Sequence, residues 1–402
     1  MKRITAPVAV LILLSLLMTG CWSRRELNDL SIVTGIGIDK DGEHYLLSVQ
    51  IVNPGQVTGR GASSGTASVT TYKITSATMY EGVRRLTTVT PRKLYFPHVR
   101  VIVVSEEVAK DGVRDVLDLF FRDHEMRPDF YMVLTKGTRA LDVLSFFSPL
   151  EKFPTMAINR IMETSDKNWA PTISVRLDQF ISDLLTEGKE PVVTSIRVNG
   201  DIEKGETEDN LKKIQPYATL QLSSKGVFKA DKLIGWLTEE ESKGYNYLTN
   251  HVTTTVDSFA CGKNGSFDIN FVRTRTRMEA VMRNGKPEID VRTFTEGNVG
   301  EVQCQLDLTD PETIARLEKL TEQALAKSVE TTVKQVQERF KVDIYGFGKA
   351  IHHKYPAYWN KVRGEWDREF ETIKVNPTFR VEIRRSGKVS NSFSEKMKEV
   401  ER

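Results

Sequence analysis

The run Val99-Arg100-Val101-Ile102-Val103-Val104-Ser105-Glu106-Glu107-Val108-Ala109 changes character halfway along. Val99 to Val104 is apolar almost throughout, as a strand covered on both faces must be. Ser105 then offers its hydroxyl as a helix cap. The helix restarts after Gly112 with Val113, Val116, Leu117 and Phe120 on one face. Phe130 to Leu134 is a second strand, and Thr138 begins a helix carrying Leu141 and Leu144. Upstream, Ser76 is placed to cap a helix with Met79, Val83 and Leu86. Helix, strand, helix, strand, helix predicts a sheet with parallel neighbours.

Before this core, Ser31 to Pro54 reads as a β-hairpin turning at Asp39-Lys40-Asp41-Gly42, and Gln56 to Ser68 is a Gly/Ser/Thr loop. After it, Pro149, Pro154 and Pro171 break the chain into short helices near 155–165 and 176–187, followed by a strand from Val192 to Val198. The polar stretch 199–216 reads as a linker. The second half differs. Tyr217 to Leu237 suggests two short strands around Ser224-Lys225-Gly226, and Thr238 starts a short helix. Val252 to Gln305 is a run of strands with turns at Lys263-Asn264-Gly265 and Asn284-Gly285.

Asp310-Pro311-Glu312 opens a long helix with Ile314, Leu317, Leu320, Ala324, Val329, Val333, Val336 and Phe340 on one stripe. A helix from Pro356 to Phe370 and a strand from Thr378 to Ile383 end the fold. The expected class is mixed α/β and α+β in more than one domain. The expected division is a signal peptide at 1–20, an N-terminal α/β domain at 21–198 and the linker at 199–216. A C-terminal α+β domain follows at 217–390, with room for two subdomains, then a polar tail at 391–402.

With 39% apolar and 28% charged residues, the 402-residue chain is neither disordered nor collagen-like. Its first residues carry two of the three charges in its net +3. Lys2 and Arg3 precede an apolar stretch from Val8 to Met18, and Met18-Thr19-Gly20-Cys21 closes it. The stretch falls short of the about 20 residues needed to span a bilayer, so it reads as a signal peptide ending in a lipobox. Cleavage before Cys21 would leave 55 of the 57 basic residues against 54 acidic ones. That near-neutral balance gives no bulk electrostatic case for nucleic acid. Cys21 is the candidate lipidation site, and two or more acyl chains there would anchor the chain stably where one would not. Cys261 and Cys304 could pair or stay apart. Three cysteines are too few for a disulfide scaffold.

Motifs for chemistry fail on context. Gly61-Ala62-Ser63-Ser64-Gly65 matches a nucleophile elbow but lies in a loop, not between strand and helix. Gly35-Ile36-Gly37 lacks the third glycine of a dinucleotide fingerprint, since Lys40 stands there. Asp39-Lys40-Asp41-Gly42 has its glycine too early for a calcium loop. His352 and His353 point about 100° apart on a helix, and His44, His98, His124 and His251 are scattered. No catalytic, cofactor or metal residues are therefore assigned. Arg273, Arg275 and Arg277 share one strand face. A two-residue Asn284-Gly285 turn would place Arg277 opposite Arg292, Arg273 opposite Glu296, Glu279 opposite Asp290 and Val281 opposite Glu288. Four arginines and four acids nearly cancel, which predicts a solvated, mixed-charge face. Met278, Ala280, Ile289 and Val291 would form the buried one.

Taken in order, several blocks resemble the Ger(x)C family, the lipoprotein C subunits of GerA-type nutrient germinant receptors. They are Gly20-Cys21-Trp22 with Arg24 to Asp29, Val33 to Asp39, and His98 leading into Val101 to Ser105 with Ala109 and Gly112. Gly226 with Phe228, and Gly235 with Leu237, follow. The last is Asp343-Ile344-Tyr345-Gly346-Phe347-Gly348, then Tyr355-Pro356, Trp359, Trp366 and Phe370. The resemblance implies a multidomain fold with mixed sheets and no enzymatic activity. It implies a chain lipid-anchored at Cys21 on the outer leaflet of the inner spore membrane, beside integral A and B subunits, and needed for the response to nutrients. The spacing of Trp359, Trp366 and Phe370 suits a core role. Two other readings are a solute-binding lipoprotein of an importer, which would need two similar lobes around a cleft, and a tethered hydrolase, which lacks its constellation.

Overall fold

The computed structural model describes residues 29–53, 67–262, 265–304 and 306–385. β1 (Leu30–Asp41) and β2 (His44–Val52) form the expected hairpin, and β3 (Val69–Ser76) pairs outside β2. α1 (Met79–Leu86) is capped by Thr78, whose side chain accepts from Glu81 N; Ser76 instead ends β3. β4 (Lys93–Tyr95) pairs with β1. After β5 (Val101–Val104), Ser105 caps α2 (Glu106–Asp111) by accepting from Val108 N, and α3 (Arg114–Arg122) follows. β6 (Tyr131–Thr135), α4 (Ala140–Ser145), α5 (Pro154–Asn168), α6 (Leu177–Leu184) and β7 (Val192–Gly200) continue the alternation. The order across the sheet is β3-β2-β1-β5-β6-β7-β8-β9, with β1, β5, β6 and β7 mutually parallel.

The apolar run of β5 is explained by two separate cores. Val101 and Val103 pack with Val143, Leu144, Ile158 and Met162 of α4 and α5. Ile102 and Val104 pack on the other side with Val108, Val116 and Phe120 of α2 and α3. All four strand residues are fully buried, each worth about 1.5–3 kcal/mol of transfer free energy.

The stretch 199–216 holds the end of β7, a one-turn α7 (Ile202–Gly205) and a 3-10 turn at Glu208–Leu211. The sheet continues beyond it through β8 (Ala218–Lys229) and β9 (Lys232–Trp236). β8 is one strand, not two: it runs straight through Ser224-Lys225-Gly226, and the turn comes at Ala230, whose φ is 51°. Lys225 read as a turn residue because its polar head gives no local hint of what covers it.

α8 (Glu239–Leu248) begins at a capping box between Thr238 and Glu241. A second sheet follows, ordered β10 (Thr255–Ala260), β11 (Ser266–Arg283), β12 (Lys286–Val302) and β13 (Lys374–Arg385). Asn284 and Gly285 both have positive φ, 50° and 78°, the type I′ geometry that fixes a two-residue hairpin. β13 lies parallel to β12. Across one face runs α9 (Pro311–Arg339), about 43 Å long at 1.5 Å per residue. Asp310 caps it by accepting from Glu312 N and Thr313 N at 3.1 Å each. Its buried stripe is Leu317, Thr321, Leu325, Val329, Val333 and Val336. Leu320 and Ala324 face solvent, because the four-residue step from Leu317 recruits Thr321 through its methyl group instead.

The helix expected at 356–370 is α11 (Pro356–Val362) and α12 (Trp366–Phe370), interrupted by a 3-10 turn around Gly364. Trp359, Trp366 and Phe370 are buried, in the core role their spacing suggested. Before them α10 (Phe347–Lys354) packs near the edge of β11. Side chains occupy the open edges of this sheet. Glu322 accepts from Val381 N at 3.0 Å and Glu318 from Ile383 N at 2.8 Å, along the outer edge of β13. Asn250 accepts from Thr276 N at 2.6 Å and Tyr355 Oη from Met282 N at 3.1 Å, along β11.

Candidate functional site

Cys21, the one site residue assigned from sequence, lies outside the described residues, as do Gly61–Gly65, Lys263-Asn264 and the tail 391–402. Gly35 and Gly37 lie in the middle of β1 and serve packing. A Cβ on Gly35 would meet Thr155 Cγ2 at 2.2 Å, and one on Gly37 would meet Ser48 Oγ at 2.4 Å. Asp39 is buried and caps α4 from another element, accepting from Ala140 N at 2.7 Å and Leu141 N at 2.9 Å. No group of three or more His, Cys, Asp or Glu placed to hold a metal ion occurs among the described residues, and no helix among them is long and apolar enough to cross a membrane.

The most constructed feature is the joint between the two sheets. The loop leading into α10 carries Asp343, fully buried, whose carboxylate accepts from Tyr345 N at 3.0 Å, Gly346 N at 2.9 Å and Gly348 N at 2.7 Å. Trp366 Nε1 donates to it as well, at 3.2 Å. Desolvation pushes this carboxyl up to about 6 against the pull of those donors, so it is ionised at pH 7. Gly346, at φ 82°, makes the bend that aims these N–H groups inward.

From the other side comes the loop between α6 and β7. Glu190 N donates to Asp343 O at 2.7 Å, and Trp359 Nε1 donates to Glu187 Oε2 at 3.1 Å. Gly188 and Gly348 touch backbone to backbone: a Cβ on either would sit 2.7 Å from the other's Cα. Burial, with Asp367 and Asp343 nearby, pushes the Glu190 carboxyl up to about 7. The Asp343–Gly348 block therefore acts as a clasp between the halves of the chain. Gly188 left no mark in the sequence, because its reason for being glycine is a contact with a distant residue.

Lys225 is a second buried device at the same boundary. Its Nζ donates to Ser242 O at 3.1 Å and Asn246 Oδ1 at 2.5 Å, and lies 4.8 Å from the Tyr245 ring centre. Asn246 in turn donates to Ala170 O and to Thr172 O. Burial holds the lysine well below the usual lysine range. A buried amine is chemically competent as a nucleophile, but Lys225 has no exposed surface, so no substrate reaches it.

An open groove of about 960 Å³ follows the joint, lined in part by Lys189, His251, Thr276, Tyr345, Lys349 and His353. Burial pushes His251 down to about 4, so it is neutral at pH 7. Its Nδ1 is 2.8 Å from Thr249 Oγ1, but that hydroxyl already donates to Tyr245 O at the end of α8. This is helix-end capping, not an activated nucleophile.

The arginine ladder has the register expected of it: Arg277 faces Arg292, Arg273 faces Glu296, Glu279 faces Asp290 and Val281 faces Glu288. Cys261 and Cys304, left open by the sequence, are joined as a disulfide, with Cα atoms 6.3 Å apart. It ties the end of β10 to the end of β12 across 43 residues of chain. Protein unfolded without reductant should titrate with no free thiol from this pair. The Cys261→Ser variant should be less stable by about 2 kcal/mol or more. Equal urea midpoints with and without reductant would show that the bond contributes nothing.

The family model "Spore germination protein N-terminal domain" matches residues 23–198, and "Spore germination B3/ GerAC like, C-terminal" matches 223–387. The chain is 32% identical over 401 residues to spore germination protein KC of Bacillus subtilis (strain 168), covering 98% of each. It is 25% identical over 388 residues to spore germination protein B3 of the same organism, covering 94% of this chain and 98% of that one. The crystal structure of the GerBC protein superposes with a TM-score of 0.53 at 20% identity, over 87% of this chain and 97% of the other, and shares its fold.

Proposed function

The chain belongs to the Ger(x)C family of spore germination proteins, and from that membership we propose that it is the non-enzymatic, lipid-anchored C subunit of a nutrient germinant receptor. The observation that carries the reading is one of order along the chain. Met18-Thr19-Gly20-Cys21 ends one residue, Trp22, short of residue 23, where the first family match begins, and the second match ends at residue 387. In this reading Cys21 carries the acyl chains and holds the body on the outer leaflet of the inner spore membrane, against integral A and B subunits.

The anchor's physical role is concentration. Two acyl chains hold a protein stably at a bilayer, and confinement to that surface raises its effective concentration beside the integral subunits. The body supplies shape: the Asp343 clasp and buried Lys225 fix the two halves relative to each other. A solute-binding reading finds little support, since a nine-stranded mixed sheet and a four-stranded sheet are not two similar lobes.

The test is Cys21→Ala in spores. We expect the variant to leave the membrane fraction, the nutrient response to fall at least tenfold, and co-purification of the A or B subunit in mild detergent to be lost. A normal nutrient response, or an unacylated amino terminus on native material by mass spectrometry, sinks the reading.

A further inference from the structure

We infer that the uncovered face of the β11–β12–β13 sheet is a docking surface for a protein partner that presents a cluster of carboxylates. From β11 and β12, Arg273, Arg275, Arg277, Arg283, Lys286 and Arg292 stand on this face against Glu279, Glu288, Asp290 and Glu296. β13 adds to the excess, because its parallel register sets Arg380 opposite Phe294 and brings Lys374 and Arg384 to the same side against only Glu382. The helices α8 and α9 pack on the other face, where Thr276, Ala280, Ile289, Val291, Thr293 and Thr295 are buried.

The rim of the exposed face satisfies itself. At one end Arg384 meets Glu296 at 3.0 Å, and at the other Arg283 meets Asp290 at 2.8 Å. The centre does not. Arg275 and Arg277 are exposed and make no ion pair or hydrogen bond among the described residues. They lie about 7 Å apart along the strand. Arg277 stands directly opposite Arg292, a like-charge pairing that weakens a sheet when nothing anionic covers it. Beside them Arg380, paired with Glu382 at 2.9 Å, sits 5.9 Å over the Phe294 ring, which adds an apolar contact to the patch.

Open guanidinium forks at this spacing suit bidentate carboxylates. A bilayer fits less well. Both ends of the strip carry carboxylates, Glu296 and Glu382 at one and Glu288 and Asp290 at the other, and a uniformly anionic surface would press against them. The complement is a partner with acids at its centre and cations at its margins. This surface is independent of whether Cys21 is acylated.

The test uses the full chain in mild detergent and two labelled peptides of equal composition, Lys-Gly-Glu-Glu-Glu-Glu-Gly-Lys and Glu-Glu-Lys-Gly-Gly-Lys-Glu-Glu. Fluorescence anisotropy at low salt should show the first binding at least fivefold more tightly. The double variant Arg275→Glu/Arg277→Glu should lose at least tenfold in that affinity with an unchanged melting temperature. Lys319→Glu/Lys327→Glu, on the exposed side of α9, should lose none. Equal affinity for the two peptides overturns the proposal. So does Arg275/Arg277-dependent binding to phosphatidylglycerol vesicles that outcompetes the peptide, which would make the surface a lipid site.

Discussion

Asp343→Ala should lower the unfolding free energy by about 4 kcal/mol, measured by urea denaturation at pH 7. The carboxylate is fully buried and accepts from three backbone N–H groups and one indole. Alanine leaves those donors in a dry site, and each stranded polar group costs about 1–3 kcal/mol, less the relief from no longer burying a charge. Asparagine keeps one acceptor oxygen but turns an NH2 toward the remaining donors, so Asp343→Asn should recover about half. Gly348→Ala attacks the same clasp by crowding, driving a Cβ to 2.7 Å from Gly188 Cα and 2.8 Å from Trp366.

The pH dependence gives an independent reading of this residue. The folded value, about 6, lies above the ordinary aspartate value of 3.8, so between those pH values the native state holds more protons than the unfolded chain. Stability from this group is therefore complete below about 3.8 and lost as pH rises through 6. Glu190, raised to about 7, pushes the same way over a window reaching neutral pH. The Asp343→Asn variant should flatten the slope between pH 4 and 6. An Asp343→Asn variant with the same slope as the wild type between pH 4 and 6, or Asp343→Ala as stable as its parent, would mean that the clasp does not hold the halves together.

Lys225→Met should remove a pH effect of the opposite sign. Its folded value is well below 10.5, so the unfolded chain holds the extra proton across the interval between them. Wild-type stability therefore rises with pH through that interval, by up to about 1.4 kcal/mol per pH unit. Methionine fills nearly the same volume and carries no proton, at the cost of bare acceptors on Ser242 and Asn246. The wild type's stability should rise with pH below 10.5 where the variant's does not, so the variant's relative stability should be greater at the lower pH of any pair within that interval. Parallel stability profiles for the two proteins would show that Lys225 keeps its charge when buried.

Much of the fold could be read from local chemistry. The Asn284-Gly285 turn fixed the register of eleven cross-strand pairs from Arg273 to Arg283, because a two-residue turn with both φ positive leaves no alternative pairing. Val101 to Val104 announced a strand buried on both faces, and Ser105 its following helix. What escaped was set by distant partners. Lys225 looked like a turn because α8, which covers it, comes later in the chain. Gly188 is glycine on account of Gly348. The register of the arginine face was legible from its turn, but the cations that β13 adds beside it were not, because that strand arrives some seventy residues after β12. The clasp residues were recognisable as a block, but their job as acceptor and donors needs the third dimension.

Glu318 and Glu322 on α9, with Asn250 and Tyr355 at the far side, have a consequence beyond local bonding. An open sheet invites a stranger's backbone to lie alongside and continue the ladder, and one copy recruiting the next is how fibrils begin. Here the invitation is narrowed where side chains already hold offered amides, at Val381 and Ile383 of β13 and at Thr276 and Met282 of β11. A second copy pairing along those stretches would first have to displace the side chains that occupy them.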